Sequence, residues 1–399
     1  MTIPQSDWWR DICQALAILD SSLQTYKRIA ALDGLIDLIM RQKLPLPVPL
    51  TAYSQLLIAA IWWQQGDLFR NFDPYTALNL YTKALLYIIP EENVSIYTAR
   101  LHRKMATIVS EPQLQIDFLT KAIELQPDFA VAYYDLGNIY FDQGQYQLAR
   151  VCYQYAIELK PHYVDAWINL GVICTKIKDY TRALDEFAYA QSLDSENVWL
   201  YYNRGNVYRE LKMYTEALKD FDKAIALDNT FAYAYLNRGN IYAALKMFEQ
   251  ANLDYAQTAK LLPDDIHPLW LQEWLHFGKE RVTHQVALRL QEIAALDPHH
   301  YLAGVCIGVA RGLVEKDLKS VLPTIEQACD QAPHQWDAYF WLAMLNAYIG
   351  RSQQAAIALN TAVQLGLPTI FMLPLYWLEK DRPDFFKYHA KAVLQDAHF

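Results

Sequence analysis

Between residues 130 and 265 the sequence repeats itself every 34 residues, four times without a gap. Gly137, Gly171, Gly205 and Gly239 mark the period, and Ala149, Ala183, Ala217 and Ala251 mark it again. A fixed period of this length belongs to stacked repeat architectures, in which each unit buries its apolar face only against its neighbours. It displaces any ordinary globular reading. A stack also grows linearly, so 399 residues need not be cut into conventional domains.

With Ala130 as position one, the columns separate into two helices. Position four is Tyr133, Trp167, Tyr201 and Tyr235, position seven is Leu136, Leu170, Arg204 and Arg238, and position eight is always glycine. These share one helical face by their three- and four-residue spacing. Position 20 is always alanine, position 24 is Tyr153, Phe187, Phe221 and Tyr255, and position 30 is always leucine, so a second helix follows. Gly144-Gln145 and Lys178-Asp179 lie in the turns between the helices of the first two repeats, and Pro161 and Pro263 close the first and fourth. Small residues at fixed positions let two helices approach, and the aromatic rings fill the space beside them.

The pattern resembles the tetratricopeptide repeat family. Trp167, Leu170, Gly171, Ala183 and Phe187 reproduce its W-x2-L-G and A-x3-F signature, while Ser195 and Asn229 replace its closing proline. The resemblance implies an all-α fold, a right-handed α-solenoid of stacked antiparallel helix pairs. The phase continues faintly from His267, Leu302 and Trp336. Upstream, a repeat begins near Ile96 with its turn compressed around Pro112, and Leu56–Gln64 pairs with the helix of Leu78, Tyr81 and Ala84 across a long link. The chain therefore reads as an N-terminal helical hairpin or cap (1–50), degenerate repeats (51–129), four well-matched repeats (130–265), three degenerate repeats (266–369) and C-terminal capping helices (370–399).

In this family the first helices line a concave groove, through positions 2, 5, 9, 12 and 13. Carried onto this chain, and joined by the asparagines at position six, the candidate partner-binding residues are Tyr134, Asn138 and Phe141 in repeat one and Ile168 and Asn169 in repeat two. Repeat three contributes Trp199, Tyr202, Asn203, Asn206 and Arg209. Repeat four contributes Tyr233, Leu236, Asn237 and Asn240. Large amphipathic rings on a face expected to meet water are typical binding anchors. Two readings of them stand: a groove for an apolar peptide or amphipathic helix, or curvature that lets the rings touch neighbouring helices. The asparagine row likewise either pairs with a guest backbone or serves as helix framework. Family co-chaperones clamp a partner's terminal carboxylate with cations in this groove. Here the corresponding series runs Tyr134, Asn138, Asn169, Trp199, Asn203, and a carboxylate would find no cation among them.

Chemistry is not expected. There is no glycine-rich phosphate loop and no nucleophile elbow, and the adjacent His299 and His300 fall at a repeat junction where a solvated turn accounts for them. No metal, cofactor or catalytic residue is assigned. The net charge of −9 argues against nucleic acid, which needs a basic face. The start has no secretory pattern, and Leu56–Trp63 is too short to span a bilayer, so a cytoplasmic location is the expectation. Five cysteines without a CxxC pair fit a reducing compartment, with Cys174 a small buried hydrophobe. The expected role is a non-catalytic scaffold or adaptor for a protein or peptide partner, open to self-association through its ends. The alternative is a regulatory or substrate-recruiting subunit of a separate enzyme or assembly.

Overall fold

The computed structural model describes residues 54–87, 95–277, 283–314 and 318–396. The hairpin expected over residues 7 to 42, and with it the 1–50 cap, lies outside them. The chain divides into two compact units that part between Leu193 and Asp194. Both are all-α, and no strand occurs among the described residues.

The first unit contains α1 (Ser54–Phe69), α2 (Pro74–Tyr87), α3 (Ser95–Ala106), α4 (Pro112–Leu125), α5 (Ala130–Asp142), α6 (Tyr146–Leu159), α7 (Val164–Lys176) and α8 (Tyr180–Leu193). They pack as four antiparallel pairs. Two boundaries differ from expectation. The helix starting near Leu56 does not stop at Gln64: it runs to Phe69, and the link to α2 is only Arg70–Asp73. Gly66 lies inside it and faces the Tyr81 ring, as Gly137 faces Tyr153, so this pair keeps the repeat's own packing. The turn before Pro112 is not compressed either. It spans Thr107–Glu111, because α3 ends early, with the Thr107 hydroxyl donating to the Lys104 carbonyl and proline opening α4.

The second unit contains α9 (Val198–Glu210), α10 (Tyr214–Leu227), α11 (Ala232–Ala244), α12 (Phe248–Leu261), α13 (His267–Phe277), α14 (His284–Leu296), α15 (Tyr301–Val309, continued by a π-turn to Val314), α16 (Leu318–Gln331), α17 (Trp336–Ile349) and α18 (Ser352–Gln364). Short helical segments follow from Thr369 to Asp396. They are fastened to the last pair by Arg382, whose guanidinium donates to the Tyr348 carbonyl at the end of α17, and by Tyr348, whose hydroxyl donates to Asp381. This unit's core is richest at its C-terminal end, where Trp274 meets Trp270, Phe340, Trp341 and Phe371 at centroid distances of 5.0–5.4 Å.

The periodic columns are the packing. Ala149, Ala183, Ala217 and Ala251 are fully buried, as are the rings at position 24. The glycines exist because those rings lie against their backbone: a Cβ on Gly171 would meet the Phe187 ring at 2.7 Å, and one on Gly137 would meet Tyr153 at 2.6 Å. Each turn closes with a residue at positive φ, Gly144 and then Lys178, Lys212 and Lys246, again 34 apart. The next amide folds back on the helix, as Asp179 N–H does on the Cys174 carbonyl at 2.8 Å. This 6→1 closure satisfies carbonyls the helix end would leave orphaned, and it holds lysine where glycine is usual.

Candidate functional site

In the first unit the face of α5 and α7 carries five of the expected residues. Asn169 is the hub. Its amide donates to the Asn138 carbonyl oxygen at 3.0 Å and lies 3.3 Å from both the Tyr134 and Tyr153 hydroxyls, while the Tyr153 hydroxyl also donates to Asn138 at 2.7 Å. The Tyr134 ring lies 4.8 Å from Tyr163 and 5.7 Å from Tyr153, and Phe141 lies 5.5 Å from Tyr146. Both rings are therefore occupied with their neighbours. Burial also pushes the Tyr134 hydroxyl above the usual phenol range. Ile168 departs from expectation. It is only 3% exposed, because position five of α7 turns into the helix seam, and it is not available to a guest.

In the second unit α9 and α11 repeat the same arrangement. Asn237 donates to Asn206 at 3.0 Å and lies 3.3 Å from the Tyr202 hydroxyl, and its own oxygen accepts from Arg209 at 2.8 Å. Asn240 accepts from the Tyr255 hydroxyl at 2.8 Å, as Asn138 does from Tyr153. Asn203 is different: its amide turns back to the Trp199 carbonyl in its own helix at 2.8 Å. Leu236 is half-buried against the core.

The aromatic residues of this face form a patch. Trp199 lies edge-on to Phe231 at 4.9 Å and to Tyr202 at 6.1 Å, Tyr202 is perpendicular to Phe231 at 5.1 Å, and Tyr233 follows at 6.2 Å. Trp199 is 54% exposed and Tyr233 49%, whereas Tyr202 is half-buried, with Phe221 beneath it. Edge-to-face rings are fixed by their quadrupoles, so the patch is held in shape without a guest. Phe231 was not singled out by the sequence reading, nor was Tyr163 behind Tyr134. Both occupy the last position of a repeat, where the second and fourth repeats have Asn197 and Asp265, in a stretch that reads as connecting turn.

Chemically the rest is quiet. Among the described residues no group of three or more histidine, cysteine or acidic side chains could hold a metal. His300 caps α15, its ring nitrogen accepting from the Leu302 amide at 3.2 Å, while His299 is exposed. Burial pushes the Cys152 thiol up to about 11 and the Cys329 thiol to about 12, and it raises Cys174 as well, so these thiols stay protonated and inert. No described helix is long and apolar enough to cross a membrane.

Comparison with known proteins agrees with the geometry. A tetratricopeptide repeat model matches residues 118–151, and a TPR repeat model matches residues 137–177 and 205–246. No curated protein matches the sequence. Among solved structures, MamA is 25% identical over 44% of this chain and 94% of its own, with a TM-score of 0.37. A tetratricopeptide repeat protein from Parabacteroides merdae is 16% identical over 61% of this chain and 97% of its own, with a TM-score of 0.47. YrrB, described as a TPR protein with an unusual peptide-binding site, is 25% identical over 48% and 97%, with a TM-score of 0.38. With its repeat columns, turn closures and family matches over 118–177 and 205–246, the chain contains tetratricopeptide repeats, which support a protein-interaction scaffold.

Proposed function

We propose that the chain is a non-catalytic scaffold that captures an apolar peptide, or the apolar face of a partner helix, on the Trp199–Tyr202–Phe231–Tyr233 patch. The observation that carries this reading is Trp199. Its indole is more than half exposed, yet two perpendicular rings hold it in place. A large ring presented to water with its rotamer already fixed loses little entropy on binding, which is the property of an interface anchor. Donors beside the patch on Asn206 and Arg209 can meet backbone carbonyls of a guest. The asparagine hubs themselves read as framework, since they bond one another and the neighbouring Tyr153 and Arg209 side chains.

The test is affinity capture from the native cell extract with wild-type bait and with a Trp199→Ala/Tyr233→Ala bait. Proteins held by the first and lost by the second, at unchanged melting temperature, are the expected result. Tyr202 is left intact because its bond to Asn237 and its contact with Phe221 make it structural. Equal capture by both baits refutes the patch, and a collapse in melting assigns the two rings to the core.

A further inference from the structure

The outer face of the second helices changes chemistry along the chain. Its columns are positions 19, 22, 26 and 30 of the repeat, and the first three are Arg182, Asp185 and Tyr189 in α8 and Glu216, Lys219 and Lys223 in α10. In α6 all four are apolar: Leu148, Val151, Tyr155 and Leu159. Their spacing of three, four and four puts them in one stripe along one helix face. Each is 40–49% exposed. The Tyr155 ring is held in place by Tyr133, stacked on it at 5.3 Å. Packing within the repeat does not ask for this stripe, since α8 and α10 do without it. A continuous apolar row on an outer helix face is what a seam with another helix requires.

The flanks of the stripe are charged. Helices α4, α6 and α8 are the second helices of successive repeats, each 34 residues after the last. Stacked repeats set such helices side by side, so Leu119, Tyr153 and Phe187 lie at one level. Leu119 and Ala122 of α4 share a core cluster with Cys152 of α6. On α4, Asp117 stands two residues before that level and Lys121 two residues after it, both exposed. On α8, Asp185 and Tyr189 stand in the same two places, both exposed. Lys121 is paired with Glu124 at 2.9 Å, an exposed contact that costs little to exchange.

We propose that the stripe is the seam of a homodimer, with α6 of one copy antiparallel to α6 of a second about a two-fold axis at this level. The occupant is a second copy because the face is complementary to itself. The axis sets Val151 against the second copy's Tyr155, and Leu148 against its Leu159. It also sets Asp117 against the second copy's Lys121, and Asp185 against its Tyr189 hydroxyl, each twice. A two-fold axis along α6 would keep the helices parallel and set Asp117 against Asp185, two like charges, so charge selects the antiparallel pairing. A seam one helix wide falls below the standard interface of about 800 Å² per partner, so dissociation is expected at concentrations on the order of 10 μM. The stripe shares no residue with the aromatic patch, so either proposal can fail alone.

The experiment is sedimentation equilibrium of the full chain between about 1 and 200 μM, where a monomer–dimer equilibrium is expected. Val151→Glu places a carboxylate in the seam and weakens the dimer about tenfold or more at unchanged melting temperature. Lys121→Glu sets two like charges against each other twice and also weakens it about tenfold. The double variant Asp117→Lys/Lys121→Glu exchanges the two roles and restores wild-type association. That recovery reads the antiparallel register directly, and it decides the matter if Val151→Glu does not fold. The proposal is overturned if the chain stays monomeric throughout, if either folded single variant dimerises like wild type, or if the double variant fails to recover.

Discussion

Replacing Asn169 by alanine separates the two readings of the asparagine row. The substitution deletes one bond of 3.0 Å, to Asn138, and two longer ones of 3.3 Å, to Tyr134 and Tyr153. A typical net value is about 1 kcal/mol for the short bond and about 0.5 for each long one, or about 2 kcal/mol together. No buried donor is stranded, because the Tyr153 hydroxyl keeps its bond to Asn138. Alanine returns about 0.6 kcal/mol in helix propensity, so the α5–α7 junction is weakened by about 1.5 kcal/mol. A stack of repeats need not unfold in one step, and the assay is therefore local: hydrogen exchange of the α5 and α7 amides, expected to quicken about tenfold. Asn203→Ala is the internal control. Its amide bonds only the Trp199 carbonyl within its own helix, so the lost bond and the gained propensity nearly cancel. Equal exchange in the two variants refutes the framework role. Loss of partner capture by Asn169→Ala without faster exchange would move the row to guest binding.

Three further substitutions test the packing and the buried charge. Gly171→Ala places a Cβ 2.7 Å from the fully buried Phe187 ring, whereas Gly205→Ala places one 3.0 Å from Phe221. Overpacking of about 2–3 kcal/mol, against about 1 gained in helix propensity, makes the first clearly destabilising and the second nearly neutral. Melting curves that coincide would refute the ranking. Asp337, 2% exposed beside the Tyr301 hydroxyl at 3.3 Å, is pushed by burial from the ordinary 3.8 to about 6. A raised carboxylate stabilises the fold fully below pH 3.8 and loses that contribution as pH rises through 6, a loss of about 3 kcal/mol. Asp337→Asn removes this slope, so the stability difference between wild type and variant changes between pH 4 and 7. A constant difference refutes it.

The repeat period was enough to fix the fold class. Gly137 with Tyr153, Gly171 with Phe187 and Ala183 with its column are local steric requirements: a ring at one fixed spacing needs a missing Cβ at another, and the sequence writes both. Helix ends were less legible. Gln65 to Phe69 looked like connection because its columns are degenerate, and only the Tyr81 ring on Gly66 shows that the helix continues.

What the sequence by itself determined is which residues belong to packing and which face of the first helices the repeat columns leave out. It could not sort that face. Ile168 and Trp199 were both groove candidates, yet one is buried and the other is more than half exposed. Phe231 joined the aromatic patch from a turn. The apolar row of Leu148, Val151, Tyr155 and Leu159 is visible in the sequence as a spacing, but its exposure is not. Exposure and hydrogen-bond saturation depend on side chains from helices distant in sequence. Only the tertiary structure, by closing those helices around one another, decided them.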